Sequence, residues 1–599
     1  MPSPKESRLF DCVCRFLDRG FAAHIVLLVV LGLCIYSSAI FHPFVHDDVV
    51  FILKNPDIGR WDNIADAFLR PSVPDFFHGL VTPYYRPVLE VLYRLQFLLF
   101  GANAAGFHFF NILVHIANAI LVYAVSRRLI RTTAPAFAVA LLFLVHPVQT
   151  EAVACVSGIS NLVCSFFILG AFYYYLRARE GGQEGERSFA VSFVLFILAL
   201  LSKEQAVVFP FFCLAYEVFA DKRHSSSAKR VLLMFAALAG YMFIRHALFG
   251  GFASTILENT GELKLRLLAI PGTIGMYVKL LFLPTGLHYY RSIDILAPYA
   301  GAWAAGGLAV VLLVLALRPL PSDQKKLAWF ALAWFAVALG PVLNIIPLVH
   351  EYSFVVASEH NLYLPSVGIF LFLSILAKHY ANGRRLLTGV SIAAVLVLSA
   401  LSFNQNSFWK NEIVLFERSS QMEPRLGRVR ILLAKAYFQA GRMDEAIGQY
   451  AEAEKIMSGY AGKTQSPKAR RFYEGMLKGI YSDSAQSYAF KRDFVTSVGQ
   501  YDKAIALDPG DSYLYSNRAL SLIGAGDMPG GIKDLEKALS LNPDNLLAAN
   551  NLSICYIQQG NAGKAKGLLE WILTKDPGLA AARDNLNKLN SVTAGRQQR

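Results

Sequence analysis

Apolar segments long enough to cross, or nearly cross, a lipid bilayer dominate the first two thirds of this 599-residue chain. A helix needs about 20 apolar residues to span about 30 Å of hydrocarbon. Runs of roughly this kind occupy residues 21–41, 107–126, 133–147, 159–176, 188–202, 205–220, 231–249, 300–318, 327–348, 363–380 and 385–403. With 55% hydrophobic and 17% charged residues, the chain is also too apolar for a soluble multidomain protein. We therefore predict an all-α, polytopic membrane helical bundle.

The basic residues indicate how this bundle is oriented, because lysine and arginine accumulate on the cytoplasmic side of a membrane. The basic N-terminal segment and the later basic clusters all fall on that side only if two doubtful runs, 86–101 and 267–283, do not cross. The sequence therefore predicts about 11 crossings, an N-terminus inside and a C-terminus outside. The two doubtful runs are then interfacial or re-entrant helices on the outer side.

From about residue 404 the composition becomes that of a soluble helical domain. The triplets "LDP" at 507–509, "LNP" at 541–543 and "KDP" at 575–577 recur every 34 residues, which is the period of tetratricopeptide helix pairs. Each pair is too small to bury its own apolar face, so neighbouring pairs stack into an α-solenoid. We therefore divide the chain into a membrane domain, 1–403, and a repeat domain of about four units, 404–599, on the non-cytoplasmic side.

Two adjacent aspartates, Asp47 and Asp48, follow the first apolar run at the start of a long outer loop, 42–106. Adjacent carboxylates repel each other, and each resists ionising near a region of low dielectric constant. A helix N-cap explains one of the two aspartates but not both. The pair is therefore the first candidate for catalytic chemistry.

Polar residues also interrupt the apolar sequence at later boundaries on the outer side. His146 and Glu151 lie in "LVHPVQTEAVACVSGISNL", and Lys203 and Glu204 separate two apolar runs in "LLSKEQAVVFP". A buried ionisable group at a membrane boundary is a functional-site hypothesis by default. Two alternatives stay open, since Glu151 can belong to a hydrogen-bond network between helices and Lys203 can pair with Glu204.

Arg86 in the first outer loop, and Glu359, His360 and Tyr363 in "SEHNLYLPSVG", complete the candidate set, although a lone histidine is more often structural. A lipid-phosphate-linked substrate needs this combination of groups. A carboxylate can accept the proton of an attacking hydroxyl, and cations such as Arg86 and Lys203 can stabilise a departing phosphate. Interfacial helices can border a groove for the lipid tail. We therefore expect these residues to bind the donor phosphate and the substrate.

Cysteine usage and charge limit the other classes of protein. The seven cysteines form no disulfide framework and no zinc-binding spacing. The net charge of +14 is spread over both halves of the chain and gives no concentrated basic face for nucleic acid. We expect no metal and no other cofactor, with a divalent cation held by the two aspartates as the open alternative.

Six segments, in this order, resemble one known family. They are "FVHDDVVFILKNPDI", "YYRPV", "FHFFNILVHIANAILVYAV", "HPVQTEAVACVSGISNLV", "LLSKEQAVVFP" and "EHNLYLPSVG". Together with the repeats after the last span, they resemble the transmembrane and tetratricopeptide-repeat (TMTC-like) O-mannosyltransferases and their bacterial relatives, which have the GT-C glycosyltransferase fold. The chain departs from this family near Asn361, where an arginine is usual, and at "SGISNL", where a more polar "GRAD"-like stretch is usual.

The resemblance implies a polyprenyl-phosphate donor carrying a mannose-like sugar. It also implies inverting transfer to a protein or glycan acceptor on the non-cytoplasmic face. An acidic residue of the first outer loop is the base in that family, which here is Asp47 or Asp48, and we favour Asp47 because it is the first of the pair. The repeats are then expected to recruit or orient the acceptor.

Two other functions compete with this interpretation. A non-enzymatic membrane anchor, whose repeats scaffold an outer-face assembly, is the main alternative, but it needs no acidic pair. A lipid-sugar transporter would need ionisable groups near mid-membrane and internal pseudo-symmetry, and the sequence gives neither. Short loops and few repeats favour a bacterial inner membrane with periplasmic repeats over an endoplasmic reticulum membrane with luminal repeats.

Overall fold

The chain divides into two compact units, residues 1–422 and 423–599. The computed structural model describes residues 20–70, 84–219, 225–249, 260–294, 300–343, 354–380, 384–464 and 466–597. The basic N-terminal segment used to orient the bundle therefore lies outside the described residues. The boundary between the units lies later than the change of composition at residue 404, because the helix at 412–422 belongs to the first unit.

The helices of the first unit follow the apolar runs of the sequence. In chain order they are α1 (Phe21–Tyr36), α2 (Pro87–Phe100), α3 (Ala104–Ile130), α4 (Thr133–Val145), α5 (Thr150–Ala154), α6 (Ile159–Ala178), α7 (Gly182–Leu200), α8 (Phe209–Phe219), α9 (Ser225–Phe249), α10 (Thr260–Phe282), α11 (Ala300–Leu317), α12 (Ser322–Leu339), α13 (Pro365–Tyr380), α14 (Arg384–Asn406) and α15 (Glu412–Met422).

In the part of the chain that the structure describes, every predicted apolar run overlaps one or more of these helices, and residues 220 and 344–348 of the predicted runs lie outside the described residues. The helices differ in length. Among the described residues, six helical segments are long and apolar enough to cross a membrane. A seventh is obtained if Thr133–Val145 and Pro147–Ala154, which are bent by 52°, count as one span. The prediction of a polytopic helical membrane bundle is confirmed, and the number of about 11 crossings stays a prediction.

Aromatic packing and a few buried polar pairs hold the first unit together. Phe212 and Trp334 stack with their ring centroids 3.9 Å apart, and Trp334 Nε1 donates to the carbonyl of Leu364 at 3.1 Å. His24 Nδ1 and the hydroxyl of Tyr123 lie 2.7 Å apart between α1 and α3. Polar side chains between apolar helices satisfy each other, as they must where water is excluded.

A two-stranded antiparallel sheet is the one departure from an all-α fold among the described residues. It pairs β1 (Arg291–Asp294) with β2 (Phe354–Ala357), and Arg291 lies opposite Ala357. Each strand belongs to a loop between apolar helices, and pairing satisfies the backbone N–H and C=O groups of both loops. The sheet therefore fixes two distant loops against each other.

The second unit is a stack of helix pairs, as the 34-residue period predicts. Its helices are α16 (Gly427–Gln439), α17 (Met443–Lys463), α18 (Pro467–Phe490), α19 (Phe494–Leu507), α20 (Ser512–Gly524), α21 (Met528–Leu541), α22 (Leu546–Gln558), α23 (Ala562–Lys575) and α24 (Ala580–Gln597).

The turn inside each pair has a left-handed residue. Gly441, Gly526 and Gly560 have φ values of 76°, 92° and 77°, and Arg492 takes the equivalent place in the second pair with a φ of 63°. A residue with this conformation ends the first helix of a pair and is easiest for glycine, which has no Cβ. The repeat domain of about four units is therefore present as four pairs and a terminal helix.

Candidate functional site

Asp48 is wholly buried and is held by backbone N–H groups from two segments. Its Oδ2 accepts hydrogen bonds from the N–H groups of Val45 at 3.2 Å and Val156 at 3.3 Å. Its Oδ1 accepts from the N–H of Ser157 at 2.7 Å and from the thiol of Cys155 at 3.5 Å. Asp48 therefore fastens the first outer loop to a turn more than 100 residues further along the chain.

The turn that Asp48 binds, residues 155–158, is held from its other side by α3. Asn111 Nδ2 donates to the carbonyl of Cys155 at 2.9 Å. The turn passes so close to α5 that a Cβ on Gly158 would lie 2.3 Å from the carbonyl oxygen of Ala152. Position 158 therefore requires glycine, and the N–H groups of the turn stay aimed at the buried carboxylate.

Burial raises the pKa of Asp48 to about 6, although the N–H donors of Ser157 and Val45 oppose this rise. Burial also raises the pKa of the Cys155 thiol well above its usual value, and the charge of Asp48 adds to that rise. The thiol therefore stays protonated and remains a donor. With this set of donors around it, Asp48 acts as a structural clamp.

Asp47 is the more accessible of the two aspartates, with 39% of its side chain exposed. Its Oδ1 lies 3.3 Å from Nε2 of His46. Burial raises the pKa values of Tyr84 and Tyr289, and the charge of Asp47 is among those that add to both rises. The charge of Asp47 therefore acts on tyrosines of the site, and Asp47 is the more exposed of the two aspartates.

Arg86 and Glu204 form a bidentate ion pair across 118 residues of sequence. Arg86 Nη2 and Nε donate to Glu204 Oε2 at 2.8 and 3.0 Å. Burial favours the neutral form of Glu204, but Arg86 outweighs burial and lowers the pKa of Glu204. The guanidinium carbon of Arg86 lies 4.1 Å from the ring centroid of Tyr84. Arg86 and the charge of Asp47 therefore both act on Tyr84.

Lys203 is 8% exposed and has a different partner from the glutamate that follows it. Its Nζ donates to Oδ1 of Asn161 at 2.6 Å. Burial, and after it the charge of Arg86, lowers the pKa of Lys203 to about 7. Lys203 and Glu204 therefore do not pair with each other, because Glu204 pairs with Arg86.

Glu151 binds His360 at two points. Glu151 Oε2 accepts from the backbone N–H of His360 at 2.9 Å, and Oε1 lies 2.7 Å from its ring Nδ1. The side chain of Glu151 is 3% exposed and that of His360 is 27% exposed. Glu151 is therefore the buried support of this pair, and His360 is its accessible member.

Glu359 is buried and forms an ion pair with Arg291 of strand β1. Its Oε1 accepts from the backbone N–H of His288 at 2.7 Å and lies 3.3 Å from Nη2 of Arg291. Burial, and after it the charge of Glu151, raises the pKa of Glu359. The small sheet explains this meeting, since it sets Arg291 opposite Ala357, two residues before Glu359.

These pairs are close enough for their charges to act on each other. Lys203 responds to the charges of Arg86, Glu204 and Glu151, and Glu359 responds to Glu151. The structure therefore gathers eight of the ten predicted site residues in one polar cluster: Asp47, Asp48, Arg86, Glu151, Lys203, Glu204, Glu359 and His360.

The structure places the other two predicted residues, His146 and Tyr363, in the interior, where they are 2% and 1% exposed. His146 Nε2 lies 2.9 Å from the carbonyl of Leu281. The hydroxyl of Tyr363 lies 2.7 Å from Nδ1 of His115 and accepts from Nδ2 of Asn118 at 3.0 Å. These contacts favour a structural role for both residues.

Two tyrosines of the site were not among the residues assigned from the sequence. They are Tyr84 and Tyr289, and the sequence does contain a signal for them. The tripeptide "YYR" occurs twice, at 84–86 and at 289–291. Each copy ends in an arginine that pairs with a glutamate, Arg86 with Glu204 and Arg291 with Glu359. In the part of the chain that the structure describes, no three His, Cys, Asp or Glu side chains gather as metal ligands.

The second unit has a cavity of about 210 Å³ between its first helices. Lys435 Nζ and Asp483 Oδ2 lie 3.3 Å apart. Burial raises the pKa of Asp483, which Lys435 only partly opposes. The residues that line this cavity are Lys435, Phe438, Gln439, Tyr450, Asp483 and Gln486.

Comparisons with known proteins give the families and relatives to which the chain is similar. Residues 82–249 match the family profile described as dolichyl-phosphate-mannose-protein mannosyltransferase. Residues 415–461 and 522–586 match tetratricopeptide-repeat profiles. A protein O-mannosyl-transferase of Caenorhabditis elegans is 26% identical over 73% of this chain and 63% of that protein. The protein O-mannosyl-transferase TMTC1 of Homo sapiens is 26% identical over 75% of this chain and 56% of that protein.

These matches support the resemblance of the chain to the TMTC-like O-mannosyltransferase family. The segment 82–249, which matches the mannosyltransferase profile, contains Arg86, Glu151, Lys203 and Glu204 of the polar cluster. The chain spans only 63% and 56% of the lengths of the two relatives named above. A crystal structure of MamA matches 29% of this chain and 90% of its own, with 17% identity and a TM-score of 0.23, which is too low to carry an argument.

Proposed function

We propose that this chain is a membrane glycosyltransferase that moves a mannose-like sugar from a polyprenyl-phosphate donor to a protein acceptor. The observation that carries the proposal is the accessible carboxylate of Asp47, whose charge acts on Tyr84, together with Arg86, whose guanidinium carbon lies 4.1 Å from the Tyr84 ring centroid. Asp47, the proposed base, and Arg86, the proposed cation for the phosphate, thus both act on Tyr84. The mannosyltransferase profile over 82–249 and the names of the relatives support a mannosyl donor.

In the proposed reaction, Asp47 accepts the proton of an acceptor hydroxyl as its oxygen attacks the anomeric carbon of the sugar. The new carbon–oxygen bond forms while the bond from that carbon to the phosphate oxygen breaks. The electron pair leaves with the polyprenyl phosphate. Because the hydroxyl attacks opposite the leaving phosphate in a single displacement, the anomeric configuration inverts. Asp48 takes no part as a nucleophile, since N–H donors enclose it.

Arg86 and Lys203 stabilise the charge that develops on the departing phosphate. Glu204 holds Arg86 and Asn161 holds Lys203, so both cations are oriented before the donor binds. A phosphate anion beside Lys203 favours its charged form, which burial otherwise disfavours. These side chains supply the positive charge of the site, and the proposal requires no cofactor.

The acceptor is a protein that the tetratricopeptide repeats recruit. The cavity lined by Lys435 and Asp483 offers both signs of charge to a polar side chain of such a partner. The orientation predicted from the basic residues puts the polar cluster and the repeats on the non-cytoplasmic face. We assign that face to the periplasmic side of a bacterial inner membrane.

The test is transfer of label from a panel of radiolabelled polyprenyl-phosphate sugars by the purified full-length protein. Wild type is compared with Asp47→Asn, with Asp48→Asn and with the matched control Asp62→Asn. Asp62 is an exposed aspartate of the same loop, 69% exposed and paired with Arg60. Each variant is assayed after its folding is checked by size-exclusion chromatography and thermal unfolding.

We expect transfer from a mannosyl donor, loss of about 10²- to 10⁴-fold in kcat for Asp47→Asn and no change for Asp62→Asn. The linkage of the product should be opposite to that of the donor. Full activity in folded Asp47→Asn would contradict the assignment of the base. An absence of turnover with every donor would favour the non-enzymatic scaffold. Loss of activity in EDTA that a divalent cation restores would contradict the assignment of phosphate stabilisation to side chains alone, and would indicate a bound metal ion.

A further inference from the structure

A short segment after the last apolar helix contacts the loops that carry the candidate site. It consists of the 3₁₀ turn Ser407–Trp409 and of α15, and we call residues 407–422 the post-span segment. By composition it belongs to the repeats, and a tetratricopeptide profile begins within it at residue 415. By its contacts it belongs to the first unit.

The first contact joins the post-span segment to the acidic loop. Glu412 Oε1 accepts a hydrogen bond from the backbone N–H of His46 at 2.8 Å, although the two residues are 366 positions apart. His46 directly precedes Asp47 and has a φ of 50°. A left-handed backbone is unfavourable for a residue other than glycine, and a hydrogen bond to a carboxylate helps to offset this cost.

The second contact joins the post-span segment to the loop with the second "YYR" tripeptide. Arg418 Nε donates to the carbonyl of Leu287 at 2.6 Å. The guanidinium carbon of Arg418 lies 3.7 Å from the ring centroid of Phe408, which keeps the arginine in place. Leu287 lies two residues before Tyr289, and the charge of Asp47 adds to the rise in the pKa of Tyr289.

Aromatic rings fill the space between these two hydrogen bonds. The ring centroid of Phe416 lies 5.5 Å from that of His46 and 6.3 Å from that of Tyr289. The centroid of Trp409 lies 5.7 Å from that of Tyr289. Packed aromatic contacts of this kind are stiff and resist relative movement of the parts that they join. The loop that carries Asp47 and the loop that carries Tyr289 are therefore both fixed to the post-span segment.

We propose that the post-span segment is a positioning element of the active site, in which Glu412 holds the backbone of His46 so that the carboxylate of Asp47 meets the acceptor hydroxyl. This inference rests on the proposed function of Asp47 as the base. Glu412 is a positioning residue, because it acts through His46 and not on the substrate. A displacement of about 1 Å in a reacting group can cost about 10²-fold in rate. The acid is thereby tied to the polypeptide that leads directly into the repeats.

The test uses three full-length variants. In Glu412→Ala the N–H of His46 loses its acceptor, whereas in Glu412→Gln an amide oxygen can still accept from it. Glu417→Gln makes the same change of charge five residues further along α15 and serves as the matched control. We expect Glu412→Ala to lower kcat by about 10- to 100-fold with the KM for the lipid donor changed less than about 3-fold. Glu412→Gln should stay within about 3-fold of wild type, and Glu417→Gln should match it.

Amide hydrogen exchange of the peptide 42–53 provides a readout that does not require turnover. Exchange there should be faster in Glu412→Ala and unchanged in Glu412→Gln and Glu417→Gln. Unchanged exchange in Glu412→Ala, or a wild-type kcat in that variant, would overturn the positioning role. Faster exchange in Glu412→Ala together with an inactive wild type would contradict the proposed function while leaving the positioning contact established.

Discussion

The backbone N–H of Ser157 donates a 2.7 Å hydrogen bond to Oδ1 of Asp48, and this bond separates the roles of two adjacent aspartates. The carboxylate of Asp48 is occupied on both oxygens by donors. The carboxylate of Asp47 is 39% exposed, and among the described residues its one close ion-pair contact is with the ring of the neighbouring His46. A pair of like residues thus provides one structural clamp and one accessible acid.

The first prediction concerns the stability of the two asparagine variants. Asp48→Asn places an amide N–H₂ group among N–H donors, so a buried donor loses its partner and the free energy of unfolding should fall by about 1–3 kcal/mol. Asp47→Asn changes a partly exposed side chain and should leave the free energy of unfolding within about 0.5 kcal/mol of wild type. Chemical unfolding in detergent measures both. Equal loss in the two variants would contradict the separation of roles.

The second prediction concerns the pH dependence that Asp48 gives to stability. Burial raises its pKa from an ordinary 3.8 to about 6 in the folded protein. Between these two values the folded state binds more protons at this site than the unfolded state, so rising pH lowers the free energy of unfolding. The loss is complete above about pH 6. The unfolding free energy of wild type minus that of Asp48→Asn should therefore fall from pH 4 to pH 6 and stay constant above that range.

The third prediction concerns the ion pair of Arg86 and Glu204. Arg86→Met leaves the carboxylate of Glu204, which is 18% exposed, without its ion-pair partner, and this should cost about 1–3 kcal/mol of stability. The double variant Arg86→Met with Glu204→Gln removes both charges and should regain most of that stability. It should still bind the lipid donor at least about 10-fold more weakly, because the phosphate loses a cation. Thermal unfolding and the donor KM separate these effects, and recovery of donor binding in the double variant would contradict the phosphate role.

The fourth prediction concerns the pH dependence of donor binding through Lys203. Burial, and after it the charge of Arg86, lowers the pKa of Lys203 to about 7, so its charged fraction falls as pH rises through neutrality. The donor KM of wild type should therefore rise between about pH 6.5 and 8.5. Lys203→Arg keeps a permanent charge and should flatten this rise. The control is Lys54→Met, which removes the charge of an exposed lysine in the first outer loop and should leave this rise unchanged. A wild-type profile without this rise would refute the prediction.

The sequence predicts the helices of this protein well because their signals are local. Apolar runs of membrane length became helices such as α3 and α6, and the 34-residue period became stacked pairs. The same holds for the polar residues at the ends of the runs, since water is excluded from the spans and ionisable groups concentrate at their boundaries. The clustering of Arg86, Lys203 and Glu151 follows from that placement.

The partners within the cluster could not be predicted, because they depend on contacts between distant segments. Asp48 binds the turn at 155–158, and Glu412 binds His46 across 366 residues. Nothing in the local sequence distinguishes Asp48 from Asp47. Likewise, Tyr363 and His360 lie in the same polar stretch of the sequence, yet Tyr363 points into the interior and contacts His115. The small sheet was missed since each of its strands has only four residues.

The last prediction concerns the glycine that lets the turn at 155–158 approach α5. A Cβ at position 158 would lie 2.3 Å from the carbonyl oxygen of Ala152, and backbone atoms cannot move aside as a flexible side chain does. Gly158→Ala should therefore displace the turn, weaken the bond from Ser157 to Asp48 and lower the free energy of unfolding by about 1–3 kcal/mol.

The matched control is Gly448→Ala on α17, where a Cβ would meet nothing within 4 Å. Alanine in an open helical position should stabilise the protein by about 0.5–1 kcal/mol. Because Gly158→Ala disturbs the clamp and Asp47→Asn does not, the former should speed hydrogen exchange in the peptide 42–53 and the latter should leave it unchanged. Unchanged exchange and stability in Gly158→Ala would mean that the turn can relax, and that the clamp at Asp48 does not depend on its close approach to α5.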